Sequence, residues 1–156
     1  MSAQDLISRL EKKQMKIATA ESCSGGLLAA AITDTAGASH VFGYGLVTYS
    51  NQAKTELLGV CGETLALYGA VSEQTARAMA DGLLRVSGAD VVLVTTGVTG
   101  PSGGSAEKPV GLVYIGVGGK KDIHIRRCQF SGDRAGIRQK TVETALSMAL
   151  DYLEKE

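Results

Sequence analysis

The chain has 156 residues, a length that predicts a single domain over residues 1–156 with room for a hydrophobic core. It carries 16 basic and 16 acidic residues, two Phe and no Trp, a composition that does not favour nucleic-acid binding. Three cysteines without a close pair, no apolar run of membrane-spanning length and no signal-peptide pattern predict a cytoplasmic protein with neither a nucleic-acid nor a membrane partner.

The first part of the chain predicts a helix, a strand and a second helix. An apolar stripe indicates a helix over residues 2–13, and the apolar segment 15–18 indicates a strand. The polar residues 19–26 follow, and we interpret them as the turn from the carboxyl end of that strand into a helix. This second helix begins at Leu27 and fades over residues 33–37.

The middle of the chain predicts two strands separated by helices. Alternation over residues 44–50 indicates a strand, and short helices follow after Asn51 and near residues 63–67. Residues 72–87 have the clearest helical periodicity in the chain. The continuous β-branched run over residues 91–96 is typical of a strand buried on both faces.

The last part predicts a loop, a hairpin and a long helix. A second glycine-rich loop covers residues 97–109, and strands over residues 112–117 and 123–130 form the hairpin. The apolar residues at the start and the end of the second hairpin strand are out of phase, which predicts a bulge near residues 126–127. The final helix begins after Asp133.

Alternating strands and helices with one hairpin predict an α/β fold. We expect a three-layer α/β/α sandwich with a mixed, mostly parallel sheet and an antiparallel edge hairpin.

Both glycine-rich loops follow predicted buried strands, where open α/β sheets bind ligands. The first loop carries the carboxylate of Glu21, the hydroxyls of Ser22 and Ser24, and the thiol of Cys23. Its two glycines, Gly25 and Gly26, allow a ligand to approach the backbone closely. The first amides of the following helix could hold a phosphate. The alternative is that Ser22 or Ser24 only caps that helix.

The hydroxyl and thiol nucleophile candidates are Ser22, Cys23, Ser24, Ser39 and Thr96. A histidine base is a poor candidate because His124 lies in mid-strand and His40 adjoins Ser39 in sequence.

A lysine desolvated in a cleft can serve as the base instead, and Lys54 and Lys108 are the candidates. Taken alone, each is more often a solvated surface charge. Cys23 at a helix N-terminus could be an activated thiolate, or only a small buried residue. Arg134 could hold a phosphate or carboxylate. Two histidines without a ligating cluster predict no metal site.

Five ordered segments resemble the CinA C-terminal domain family, the nicotinamide mononucleotide deamidases. They are residues 19–26, 47–51 with Lys54, 69–72, 96–101 with 108–111, and 132–134. Two small departures are Ser24, where threonine is usual, and Ala38, where serine is frequent. The resemblance implies a free-standing amidohydrolase that converts nicotinamide mononucleotide to nicotinate mononucleotide and ammonia in pyridine-nucleotide recycling. It also implies a serine–lysine dyad, no cofactor or metal, and a homo-oligomer.

Carried onto this sequence, the resemblance implies four catalytic residues: Ser22, Ser39, Tyr49 and Lys54. The candidate substrate-binding residues are Glu21, Cys23, Ser24, Gly25, Gly26, Thr96, Gly97, Gly100 and Arg134.

The sequence does not decide whether Ser22 or Ser39 attacks the carboxamide carbon. We favour Ser39, facing Lys54 from an opposite wall, with Ser22 as a binding or oxyanion group. Tyr49 would orient Lys54 or relay its proton. Two other functions are a Cys23-dependent amidase and a non-catalytic nucleotide-binding domain.

Overall fold

A computed structural model describes residues 2–156. The helices are α1 (Ala3–Lys13), α2 (Leu27–Thr33), α3 (Asn51–Leu58), α4 (Gly62–Tyr68), α5 (Glu73–Ser87) and α6 (Arg134–Lys155). The strands are β1 (Ile17–Glu21), β2 (Phe42–Val47), β3 (Val91–Gly97), β4 (Leu112–Gly118) and β5 (Ile123–Gln129). Within the described residues, no helix combines the length and hydrophobicity of a transmembrane span.

The five strands form one mixed sheet in the order β2-β1-β3-β4-β5. The β1 strand pairs in parallel with β2 and β3, whereas β4 is antiparallel to both β3 and β5. Glu21, the last residue of β1, lies opposite Val47 of β2 and Thr95 of β3. The loops that follow these three strands therefore meet at one edge of the sheet, at the point where the strand order reverses.

Helices cover both faces of the sheet, which confirms the predicted three-layer sandwich. On one face, α1, α2 and α6 pack together, and their apolar side chains join those of the sheet in one core that includes Leu28 and Leu93. On the other face, α3 and α4 pack on α5, and Met79 and Leu83 join Val94 in a second core. Burial of both sheet faces explains the continuous apolar run of β3.

Three details differ from the predictions. The β1 strand continues to Glu21, because pairing with neighbours on both sides extends it into the polar segment. The β2 strand starts at Phe42 and ends at Val47, because the Ser50 side chain accepts a hydrogen bond from the Ala53 N–H and caps α3. The predicted bulge in β5 is wrong.

The β5 strand pairs with β4 in continuous register from Ile123 to Gln129. Ile123 and Ile125 pack against the core beneath α5, whereas Cys128 belongs to the core beneath α6. The change of phase in the sequence therefore reflects a strand with apolar contacts on both faces, for which no extra residue is needed.

Candidate active site

Lys54 is buried completely, with no solvent-exposed surface. Its Nζ donates hydrogen bonds to Ser22 Oγ at 2.9 Å, to the Thr48 carbonyl at 2.7 Å and to the Tyr49 carbonyl at 3.2 Å. No carboxylate oxygen of the described residues lies within 4.0 Å of this nitrogen. The alternative that Lys54 is a solvated surface charge is therefore wrong.

Burial lowers the pKa of Lys54 from 10.5 to about 8, because desolvation penalises the charged ammonium. A neutral lysine amine has two N–H bonds and one lone pair. The carbonyls of Thr48 and Tyr49 can accept both N–H groups, which directs the lone pair toward the Ser22 hydroxyl. The arrangement suits a base that takes a proton from serine.

Ser22 is the first residue after β1, and it is 8% exposed. Its backbone N–H donates to the Thr95 carbonyl at 3.0 Å, which prolongs the pairing of β1 with β3. The backbone N–H groups of Cys23 and Ser24 donate to no other residue in the described chain. Ser22 is thus placed at a strand-to-helix turn, as the serine of a nucleophile elbow is, although its φ is not in the left-handed region.

The Glu21 carboxylate occupies the N-terminus of α2. It is fully buried and accepts hydrogen bonds from the backbone N–H groups of Leu28 at 2.8 Å and Ala29 at 3.1 Å. Gly26 is the N-cap residue, so neither Ser22 nor Ser24 caps the helix. These amides are therefore not available to the phosphate that the sequence predicts there.

Ser24, Gly25 and Gly26 build the turn. The Ser24 hydroxyl shares a hydrogen bond of 2.7 Å with that of Thr95 inside the protein. Gly25 has a φ of +56°, and a Cβ there would lie 3.1 Å from Arg138 Nη2, so the close approach of this guanidinium favours glycine. Through these contacts, Ser24 and Gly25 stabilise the conformation of the turn.

Cys23 is 5% exposed, and burial raises the pKa of its thiol to about 12. The thiol therefore stays protonated at neutral pH, in contrast to the activated thiolates found at electropositive sites. The environment matches the alternative of a small buried residue.

Ser39 lies in a short 3₁₀ turn before β2, and its side chain is exposed. Lys54 and Ser22 lie beyond the opposite, carboxyl end of the paired strands. The six residues of β2 span about 20 Å at roughly 3.3 Å per residue. The structure does not bring Ser39 to Lys54, because an entire strand separates them.

Tyr49 contributes through two different atoms. Its backbone carbonyl accepts the hydrogen bond from Lys54, whereas its hydroxyl accepts one from Arg134 Nη2 at 3.2 Å. Tyr49 as a whole residue is 59% exposed. Tyr49 thus orients Lys54 through its main chain, and its phenol is directed to the arginine.

The end of β3 and the loop that follows it carry the remaining predicted substrate-binding residues. The Thr96 hydroxyl donates to the Ala70 carbonyl at 2.7 Å, and Gly97 ends β3 where β4 leaves no room for a side chain. The Gly100 carbonyl accepts from Arg134 Nη1 at 2.8 Å. Lys108, the other candidate base, donates to the Tyr68 carbonyl.

The profile of the CinA C-terminal domain matches residues 1–153. The chain belongs to the CinA C-terminal domain family. A CinA-like protein from Desulfovibrio desulfuricans is 51% identical over 150 residues, which are 96% of this chain and 35% of the relative. A Thermoanaerobacter pseudethanolicus protein whose name calls it competence-damage inducible is 49% identical, over 95% of this chain and 36% of its own length. The chain thus spans about a third of these relatives.

Solved structures share the fold of this CinA C-terminal domain. The competence/damage inducible protein CihA from Agrobacterium tumefaciens is 44% identical with a TM-score of 0.94, covering 97% of this chain and 93% of that chain. A CinA superfamily protein from Klebsiella pneumoniae is 33% identical with a TM-score of 0.93, covering 100% of both chains.

The sequence patterns do not single out two contributors to this CinA site, Thr48 and Arg138. Thr48 acts through its backbone carbonyl, for which residue type carries no signal. Arg138 donates to the carbonyls of Cys23 at 3.2 Å and Ser24 at 3.1 Å and thereby supports the turn. Its position four residues after Arg134, on one helix face, is the signal that identifies it. Within the described residues, no group of three or more Cys, His, Asp or Glu side chains could hold a metal ion.

Proposed function

We propose that this CinA C-terminal domain hydrolyses the carboxamide of nicotinamide mononucleotide to nicotinate mononucleotide and ammonia, with Ser22 as nucleophile and Lys54 as base. The observation that carries the proposal is the 2.9 Å contact between Ser22 Oγ and a fully buried lysine amine. The substrate is the one that the motif resemblance implies, and membership of the CinA C-terminal domain family supports that choice.

The first step is attack by the Ser22 hydroxyl on the carboxamide carbon. Neutral Lys54 takes the hydroxyl proton as the new C–O bond forms, which gives a tetrahedral oxyanion and a lysine ammonium. The lowered pKa of Lys54, about 8, leaves a useful fraction of neutral amine near neutral pH. Serine–lysine pairs are a known variant of the serine triads.

The oxyanion would be held by the backbone N–H groups of Cys23 and Ser24, which donate to no other residue within 2–156. Collapse of the tetrahedral intermediate breaks the C–N bond, and the leaving ammonia takes the proton from the Lys54 ammonium. Lys54 then deprotonates a water that attacks the acyl-enzyme, and Ser22 regains its proton as the carboxylate product leaves.

The proposal takes Ser22 as nucleophile in place of Ser39. Ser22 contacts the amine of Lys54, whereas Ser39 lies at the amino end of β2. The Cys23-dependent alternative is disfavoured because burial holds the pKa of that thiol near 12.

The experiment is ammonia release from nicotinamide mononucleotide by the purified chain, with and without a chelator. Release should resist the chelator and fall by about 10⁴-fold or more in Lys54→Met and in Ser22→Ala. Ser39→Ala and the exposed Lys121→Met are the matched controls and should retain turnover.

Retained turnover in Lys54→Met would remove that lysine from the mechanism. Loss of turnover in folded Ser39→Ala, with retention in Ser22→Ala, would return the nucleophile to Ser39. A folded wild type that binds the nucleotide but releases no ammonia would identify a non-catalytic nucleotide-binding domain.

A further inference from the structure

Two threonine hydroxyl groups, those of Thr19 and Thr48, are buried without a hydrogen-bond partner among the described residues. Both residues have no exposed surface. Buried polar side chains nearly always have a partner, because an unpaired hydroxyl lowers the stability of the fold. A valine has nearly the same shape without this cost, so the presence of a hydroxyl at each position needs an explanation.

The Thr48 side chain lies on the side of the sheet that holds Lys54. The Thr48 N–H donates to the Glu21 carbonyl at 2.8 Å, which continues the parallel pairing of β1 with β2 by one residue. Side chains alternate along a strand, so Thr48 shares a face with Leu46, which packs in the core beneath α5. The Thr48 carbonyl accepts from Lys54 Nζ at 2.7 Å. The unpaired hydroxyl therefore belongs to a residue that already contacts the amine.

Thr19 carries the same kind of hydroxyl on the opposite face. It lies two residues before Glu21 in β1, so both side chains point to the face that α2 covers. The intervening Ala20 packs in the core beneath α5. The sheet thus separates the Thr19 hydroxyl from Lys54, although its burial and its lack of a partner match those of Thr48.

The number of N–H groups on Lys54 changes during the proposed reaction. The neutral amine has two, and the carbonyls of Thr48 and Tyr49 accept both. The ammonium that forms on attack has three. Ser22 Oγ is by then bonded to the carboxamide carbon, where it is a weaker acceptor, and no carboxylate of the described residues lies within 4.0 Å of Lys54. One N–H of a buried ammonium therefore lacks a strong acceptor, which is costly.

We propose that the Thr48 hydroxyl accepts this third hydrogen bond from the Lys54 ammonium while Ser22 is bonded to the substrate. The inference rests on the proposed function for the reaction in which the ammonium forms. The proton taken from Ser22 stays on Nζ until it passes to the leaving nitrogen, and Thr48 keeps its own proton. A change of rotamer in Thr48 or in the flexible lysine brings the two groups together.

Thr48 is thus a positioning residue that acts through Lys54. Before attack, the two carbonyls and Ser22 Oγ already surround the amine, which explains why the Thr48 hydroxyl is unpaired at that stage. After attack, the hydroxyl stabilises the charged base without supplying a permanent countercharge.

The first test measures the pKa of Lys54 without catalysis, by ¹³C NMR of its Cε across a pH titration of the full chain. Ser22→Ala removes the Ser22 acceptor, as bonding to the substrate weakens it. In the Ser22→Ala background, Thr48→Val should lower the pKa of Lys54 by about one pH unit, because a hydrogen bond to a charged group is lost. With Ser22 present, the same substitution should lower this pKa much less.

Thr19→Val in the Ser22→Ala background is the matched control and should leave the pKa of Lys54 unchanged. Cys23 is the titratable neighbour that acts on Lys54, and burial keeps its thiol protonated over this range. If the pKa of Lys54 in Ser22→Ala is the same with and without the Thr48 hydroxyl, the proposal is wrong, whether or not the protein is an amidohydrolase.

The second test compares kcat and KM for nicotinamide mononucleotide. Thr48→Val should lower kcat about tenfold and leave KM unchanged, because the hydrogen bond forms only after attack. Thr48→Ser keeps a hydroxyl and should recover most of kcat. Thr19→Val should keep the kinetics of the wild type. An unchanged kcat in folded Thr48→Val would contradict the proposal.

Urea unfolding separates this role from a structural one. Neither Thr48→Val nor Thr19→Val should lower the unfolding midpoint, because each removes an unpaired buried hydroxyl. A lower midpoint in Thr48→Val together with a lower kcat would assign Thr48 to the fold and overturn the positioning role. Absence of turnover in the wild type would count against the proposed function, and the NMR titration would then decide the role of Thr48.

Discussion

The buried Lys54 should make the fold more stable as the pH rises above about 8. Burial lowers the pKa of Lys54 to about 8 in the folded state, whereas an unfolded chain restores the ordinary value of 10.5. Below about pH 8 both states carry the proton, and the folded state bears the full cost of burying an ammonium. Between the two pKa values the unfolded state binds more protons, so the free energy of unfolding increases with pH.

The size of the effect follows from the pKa difference. Raising the pH from about 7 to about 9.5 covers roughly 1.5 units above the native pKa, and each unit contributes about 1.4 kcal/mol. The free energy of unfolding should therefore rise by about 2 kcal/mol from this one group. Solvent does not screen this effect, because the Lys54 side chain has no exposed surface.

The assay is urea unfolding of wild type and Lys54→Met across this pH range. Methionine has a similar length and no titrating group, so the difference between the two proteins isolates the contribution of Lys54. As the pH rises, the free energy of unfolding of the wild type should increase by about 2 kcal/mol relative to that of the variant. Lys121→Met, at an exposed position, should show no such gain. A difference that stays flat or falls would refute the reasoning, because the buried ammonium would then carry no desolvation cost.

Three further predictions follow from the same contacts. The kcat/KM for carboxamide hydrolysis should rise through about pH 8, because attack needs neutral Lys54; a flat profile in a chemistry-limited assay would contradict this. Cys23→Ala should keep ammonia release within a few-fold of wild type, since burial keeps the thiol protonated; loss in a folded variant would restore the cysteine mechanism. Glu21→Gln should lower the free energy of unfolding by about 2 kcal/mol in urea titrations, because two backbone amides donate to that carboxylate; an unchanged stability would argue against this capping role.

The sequence predicts the fold well because apolar periodicity determines which faces are buried. The stripe of residues 72–87 and the β-branched run of residues 91–96 mark the α5 and β3 elements of the structure. The parallel order of β2, β1 and β3 then brings the predicted loops to one edge of the sheet. Elements whose burial is two-sided and irregular, such as β5, are less well predicted from their pattern.

The site is less predictable because side-chain direction depends on tertiary register. Nothing in the sequence around Lys54 distinguishes a buried lysine from a solvated one. The preference for Ser39 as nucleophile rests on its position along the chain, and in the structure the β2 strand separates Ser39 from Lys54. The role of Glu21 depends on how far β1 extends, because three more paired residues than predicted bring Glu21 into the sheet and direct its carboxylate to the N-terminus of α2.

The alternation of side chains along β1 explains why Lys54 has no carboxylate beside it. Successive residues of a strand point to opposite faces of the sheet, so Glu21 reaches α2 on one face while Ser22 meets Lys54 of α3 on the other. A carboxylate beside Lys54 would stabilise the ammonium and raise its pKa, which would leave no neutral amine near neutral pH. The carbonyls of Thr48 and Tyr49 orient the amine without supplying that countercharge. A shift of one residue in β1 would bring the Glu21 carboxylate toward the amine, so the register of this strand controls the basicity on which the proposed chemistry depends.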